Sequence, residues 1–163
     1  MSEPGTLSVQ RIEGGYLVNV HGKATFQHSH AFRDFVARAL ECGARVVVDL
    51  NSCQYLDSTI LGCMAILHRQ AKVDKADFAI WADRPVLEKL LQPTRLDQLL
   101  ELADPPPTPR STPVQLPGVD AGHGEFGQLV CDAHRALAEL GGPAADTFRR
   151  IADDLSRELG DRP

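Results

Sequence analysis

No stretch of the chain approaches the roughly 18 consecutive apolar residues that a membrane-spanning helix requires, so membrane insertion is not expected. Positive charge is scarce as well. There are 17 Lys and Arg against 22 Asp and Glu, for a formal net charge of -5. No basic stripe gathers the few cations together, so nucleic acid is not an expected partner. The four cysteines, Cys42, Cys53, Cys63 and Cys131, form no C-x-x-C pair and suit reduced thiols better than a disulfide framework. G-x-S-x-G and glycine-rich phosphate loops are both missing, which weakens hydrolase and nucleotide-enzyme readings. The histidines do not supply a zinc signature: His28-x-His30 precedes a helix, and His123 and His134 stand near Asp120, Glu125 and Asp132 without ligand spacing. No metal and no cofactor is expected, and a small metal-dependent hydrolase built on these histidines is the alternative of another class. The first ten residues, MSEPGTLSVQ, carry neither a basic nor an apolar leader region, and a cytoplasmic protein is expected.

What is present is enough for one core with room for an appendage: 163 residues, 43% hydrophobic and 24% charged. Leu7 to Arg11 and Tyr16 to His21 read as two strands about a Glu13-Gly14-Gly15 turn. Phe32, Phe35, Val36, Ala39 and Leu40 share one helical face, with Ser29 as the expected cap and Gly43 as the expected stop. Val46 to Leu50 is a buried strand, and Asn51, Ser52 and Gln54 mark a turn after it. A helix from Ser58 to Lys72 follows, then a strand from Phe78 to Trp81, giving β-β-α-β-α-β. Arg84 to Leu91 and Arg95 to Leu102 read as short helices broken at Gln92-Pro93, or the region near Leu100 adds a short edge strand.

Composition changes at Asp104. Pro105, Pro106, Pro107, Pro109, Pro113 and Pro117 make residues 104–125 a semi-rigid linker. Beyond it, Phe126, Leu129, Val130, Ala133, Leu137 and Leu140 form one amphipathic stripe, and Phe148, Ile151, Leu155 and Leu159 a second after Gly141-Gly142-Pro143. Residues 126–160 therefore read as a helical hairpin, with His134 toward the solvated or flanking side. Stripes this short must bury themselves on the core, on a partner, or on a second copy in a homodimer.

The residues that point furthest toward function are Asp57, Ser58 and Thr59. They stand between a buried strand and an apolar helix, where free backbone N–H groups favour negative charge. N-capping by Asp57 or Ser58 is the plain reading of the same residues, and Thr25 and Lys23 similarly lead into the preceding helix. The apolar strand, the run Asp57-Ser58-Thr59-Ile60-Leu61-Gly62, Gly22, the helix bearing Phe32 and Phe35, and the late Leu91-Gln92-Pro93-Thr94-Arg95-Leu96-Asp97 segment together resemble a STAS domain, as found in anti-sigma factor antagonists and sulfate transporter tails. The resemblance covers about residues 5–103, so that residues 1–103 are the expected STAS-like domain.

The resemblance implies an α/β fold with a mixed β-sheet of four to five strands packed with helices, to which the C-terminal helical hairpin is added. It implies a regulatory binding protein rather than an enzyme. The partner would be an anti-sigma factor that is also a serine kinase, Ser58 the phosphorylated residue, and Lys23, Thr25, Asp57, Ser58, Thr59 and Ile60 the partner-binding surface. The chain departs from the family pattern in two places. Ile60 stands where a glycine is usual, and Thr25 where an acidic residue often lies three positions after the glycine matched by Gly22. An unphosphorylated STAS scaffold and a transporter-associated STAS subunit therefore stay open as alternatives.

Overall fold

A computed structural model describes residues 5–104, 106–116, 123–142 and 144–160, the side chains of 123–128, 155 and 158–160 excepted. The chain begins with the antiparallel pair β1 (Thr6–Ile12) and β2 (Gly15–Ala24), joined through Gly14 at φ 79°. A positive φ of this kind carries no steric cost in glycine. There follow α1 (Phe26–Glu41), β3 (Arg45–Asp49), β4 (Cys53–Leu56), α2 (Ser58–Asp74), β5 (Phe78–Trp81), α3 (Arg84–Leu90), a 3-10 turn at Gln92–Thr94, and α4 (Leu96–Leu99). The chain then forms β6 (Val114–Gln115), α5 (His123–Glu139) and α6 (Ala145–Gly160).

The sheet is mixed. Its order is β5-β3-β2-β1-β6, and β4 lies beside the far end of β2. Two strands join those legible in the sequence, β4 and β6. The turn expected after β3 is confined to Asn51 and Ser52, because Cys53–Leu56 pairs in parallel with Gly22, Lys23 and Ala24. β2 thus changes partner midway, with β3 along Gly15–Asn19 and β4 along Gly22–Ala24, the register shifting between Lys23 and Gly22, whose φ is 69°. Leu102 makes one parallel bridge with Ile80, which is the edge pairing anticipated near Leu100, while the helix expected over 95–102 is limited to Leu96–Leu99.

Part of the proline-rich segment runs along β1 instead of standing free. Val114 and Gln115 pair with Val9 and Ser8, the Leu116 N–H donates to the Leu7 carbonyl, and the Arg110 N–H donates to that of Arg11. The cap of α1 also differs from expectation. The cap lies four residues before Ser29, because Thr25 is the N-cap and its N–H donates to His28 Nδ1. Ser29 is buried inside the first turn, where its hydroxyl donates back to the Phe26 carbonyl.

One face of the sheet supports the main core, in which Val18, Val20, Val46 and Val48 meet Phe32 and Val36 of α1 and Met64 and Leu67 of α2. The opposite face carries a smaller cluster of Ile12, Leu17 and Val47 beneath Trp81 and Ala103. The hairpin buries its apolar stripe on the α/β core: Leu129, Ala136 and Leu137 of α5 belong to the main core. The second stripe is rotated from the expected one. Ala145 and Ala152 are buried and Phe148 packs against the core, but Ile151 is 36% exposed. The expected contributions of Phe126, Leu155 and Leu159 lie outside the described side chains. None of the described helices is long and apolar enough to cross a membrane.

Candidate functional site

The parallel pairing of Ala24 with Leu56 brings the ends of β2 and β4 level, so that the two helices following them start side by side. Asp57 fastens both starts. Its Oδ1 accepts from the Ile60 N–H at 3.0 Å, capping α2, and its Oδ2 accepts from the Phe26 N–H in the first turn of α1. Its own N–H donates to the Ala24 carbonyl at 3.1 Å. Thr25 and Asp57 are therefore equivalent N-cap residues of α1 and α2, each following a paired strand end, and Ser58 is the first residue of α2.

Both of the plain readings hold for these caps, and the site is built on them. Two helix N-termini point at one corner, with Asp57 between them and Ser58 at its edge. The fields of the two helices add there, and developing negative charge is stabilised. Lys23 lies opposite Tyr55 in the β2–β4 ladder, and both are exposed. With Phe26 48% and Tyr55 50% exposed, the corner carries two aromatic side chains beside a cation and a half-buried carboxylate. Thr59 and Ile60 are different: both are buried, so they support the surface from beneath. The structure groups Lys23, Thr25, Asp57 and Ser58 at one end of the sheet and removes Thr59 and Ile60 from solvent.

Ser58 is half-buried because α5 stands over it. Its Oγ lies 2.8 Å from Nε2 of His134. The other imidazole nitrogen, Nδ1, lies 2.7 Å from the Val130 carbonyl. A carbonyl only accepts, so Nδ1 carries the proton and donates to Val130, which leaves Nε2 to accept from the Ser58 hydroxyl. His134 is 5% exposed and its ring meets Phe148 edge-on at 5.9 Å between centroids, so residues of α2, α5 and α6 fix it together. Of the two placements expected for His134, the solvated side is overturned and the flank of the apolar stripe is where it lies. The α5 stripe is wide enough to include it because Ala133 and Ala136, its small neighbours, let α5 approach α2 closely.

A close approach is at Gly62, one helical turn after Ser58. An added Cβ there would stand 2.5 Å from the Ala133 Cα and closer still to the Ala133 carbonyl. Two turns further on again, the Arg69 guanidinium pairs with Glu139 at 2.7 Å. Ser58 with His134, Gly62 with Ala133 and Arg69 with Glu139 mark three places where α2 and α5 meet.

Sequence reasoning missed His134, Phe26 and Tyr55. For His134 the available signal was its place one residue after Ala133, on the flank of the Leu129-Ala133-Leu137 stripe. For Phe26 the signal was a large apolar residue about 120° around the helix from Phe32, away from the stripe. Among the described residues no group of three or more His, Cys, Asp or Glu side chains is arranged to hold a metal. Asp120, His123 and Glu125 lie outside the described side chains. Cys53, Cys63 and Cys131 are buried free thiols and Cys42 is exposed. Burial pushes the Cys63 thiol up to about 12, which makes it inert as a nucleophile.

Comparison with known proteins agrees with this architecture. The chain is 29% identical over 86 residues to a STAS-domain containing protein of Pseudomonas aeruginosa, a match spanning 53% of this chain and 85% of the relative. Its fold resembles the crystal structure of an anti-sigma factor antagonist from Mycobacterium paratuberculosis, with a TM-score of 0.53 at 21% identity over 64% of this chain and 91% of that one. The profile of the family described as Mlab, STAS domain matches residues 8–101, and the chain belongs to the STAS domain family.

Proposed function

We propose that the chain is a non-enzymatic regulatory binding protein that docks an anti-sigma factor through the corner formed by Lys23, Thr25, Asp57 and Ser58, and that an anti-sigma factor kinase reverses the docking by phosphorylating Ser58. The observation that carries this reading is the position of Ser58 as the first residue of α2, beside a carboxylate that caps two helices at once. A phosphoryl group on its oxygen adds about -1.5 to -2 charges at neutral pH. Free N–H groups of α2 would hold that charge without unfolding the helix. The change is then felt by the docked partner, which meets a bulky dianion where a hydroxyl had been. Phe26 and Tyr55 supply the apolar area that a protein partner needs beside the charged corner.

A second reading, an unphosphorylated STAS scaffold or transporter-associated subunit, is favoured by the engagement of Ser58 with buried His134. Intact mass spectrometry separates the two. After incubation with ATP and lysate of the native cell, the phosphorylation reading expects one added phosphate in the wild-type chain and none in Ser58→Ala. Equal labelling of the two, or no labelling of either, refutes it. Because the hairpin already uses its apolar stripe within the chain, a homodimer through the hairpin would form by exchange of hairpins between two copies.

A further inference from the structure

The hairpin covers the same end of α2 that carries Ser58, and the way α5 sits there describes what the groove accepts. Three contacts define it. At the first, the Ser58 hydroxyl needs an acceptor, supplied by His134 Nε2. At the second, Gly62 has no side chain and Ala133 comes against it so closely that a β-carbon on α2 would overlap backbone. At the third, Arg69 pairs with Glu139. Beside these contacts Leu129, Ala136 and Leu137 enter the core. We propose that this face of α2 is a docking groove for an amphipathic helix of the partner, and that α5 is its stand-in within the chain, so that partner and hairpin compete for one site. The partner helix presents a small residue to Gly62, an acceptor to Ser58 and a carboxylate to Arg69. The proposal rests on the reading of the Ser58 corner as a docking surface and deepens it by naming the shape and chemistry of the occupant.

The covalent tether makes the hairpin a strong competitor, because a short connection gives a linked segment an effective concentration on the order of millimolar. A partner then binds with an affinity lowered by the fraction of chains whose groove is open. Chemistry at Ser58 is restrained by the same contact: while His134 accepts from the hydroxyl and α5 lies over it, a kinase reaches the oxygen only in the fraction of chains whose hairpin is open. Opening the hairpin therefore exposes both the groove and the hydroxyl.

The test uses the full chain and a fluorescent synthetic peptide of residues 123–160 as a surrogate partner. Ala133→Arg places a long cation where only a methyl fits and expels α5 without altering α2. Leu137→Ala weakens the same contact by truncation and serves where the arginine variant does not fold. Hydrogen exchange at 129–139 reports release of the hairpin. The proposal expects fast exchange there, and peptide binding at least about tenfold tighter than to the wild-type chain. It also expects that binding to be lost when the peptide itself carries Ala133→Leu. A released hairpin with no gain in peptide binding overturns the groove, and so does a hairpin that stays protected in both variants. A wild-type chain that sediments as a dimer and becomes monomeric in Ala133→Arg assigns the groove to the hairpin of a second copy and overturns competition within one chain. None of these readouts involves phosphate, so failure of phosphorylation at Ser58 and failure of the groove are told apart.

Discussion

Gly62→Ala is the substitution for which the structure sets two opposed magnitudes against one another. Gly62 sits inside α2, where glycine is less favourable than alanine by about 0.8–1.0 kcal/mol. On helix propensity alone the change stabilises the protein. The added Cβ, however, would stand 2.5 Å from the Ala133 Cα, well inside the roughly 3.5–4.0 Å at which carbon atoms attract. The obstructing atoms are backbone, which no rotamer change can move aside. Overpacking of this kind costs about 1–3 kcal/mol, so the net change is a loss of about 0–2 kcal/mol in place of a gain of about 1. The loss falls on the α2–α5 contact, because α2 is held in the core by Met64, Leu67 and Ala71 on its other side. Urea denaturation of the full chain gives the net value, and hydrogen exchange at 129–139 locates it. A gain of about 1 kcal/mol with unchanged protection in α5 would refute the close approach and everything built on it.

Other consequences follow from single groups. Asp57→Ala removes the acceptors of two helix starts and should cost about 0.5–2 kcal/mol for each, whereas Asp57→Asn keeps one carbonyl oxygen and should cost about half as much; equal losses in denaturant titrations would contradict the double cap. Burial first, and Lys72 second, hold the pKa of His68 below the ordinary imidazole value. Its neutral form is thus preferred in the folded state, and stability should fall as pH drops below about 6.5, down to the folded-state pKa. His68→Gln should flatten that part of the stability profile, and an unchanged profile would exclude His68 as its source. In native buffer a thiol reagent should modify Cys42 and leave Cys53, Cys63 and Cys131 unreacted until denaturant is added. Rapid reaction of a second thiol would place one of the buried cysteines at an accessible surface.

The parts of the fold legible in the sequence were those with a strong local period. The Val46 to Val48 run, the Phe32 to Leu40 stripe and the Gly14 turn declare a strand, a helix and a hairpin by neighbours alone. β4 was not legible, because Cys53, Gln54 and Tyr55 have no clear alternation and become a strand only by pairing with the far end of β2. β6 was hidden by its prolines, since Val114 and Gln115 are held by the free edge of β1 and not by their own propensity. The site divides in the same way. Asp57 and Ser58 were visible as a cap and a hydroxyl before an apolar helix, but their geometry depends on contacts distant in sequence. The bond from Asp57 to the start of α1 spans 31 positions, and that from Ser58 to His134 spans 76. Periodicity placed the hairpin on some apolar surface without saying which. Gly62 and Ala133 answer that question only as a pair, each being an unremarkable small residue alone.

The most direct test of the central claim is the affinity of the full chain for the anti-sigma factor captured from the native cell, compared between Ser58→Ala and Ser58→Asp by calorimetry. Ser58→Ala should retain binding, and the fixed carboxylate of Ser58→Asp should weaken it by at least about tenfold, since a charge is then desolvated against a surface fitted to a hydroxyl. Equal affinities of the two variants would contradict the claim that the state of residue 58 decides whether the partner is held.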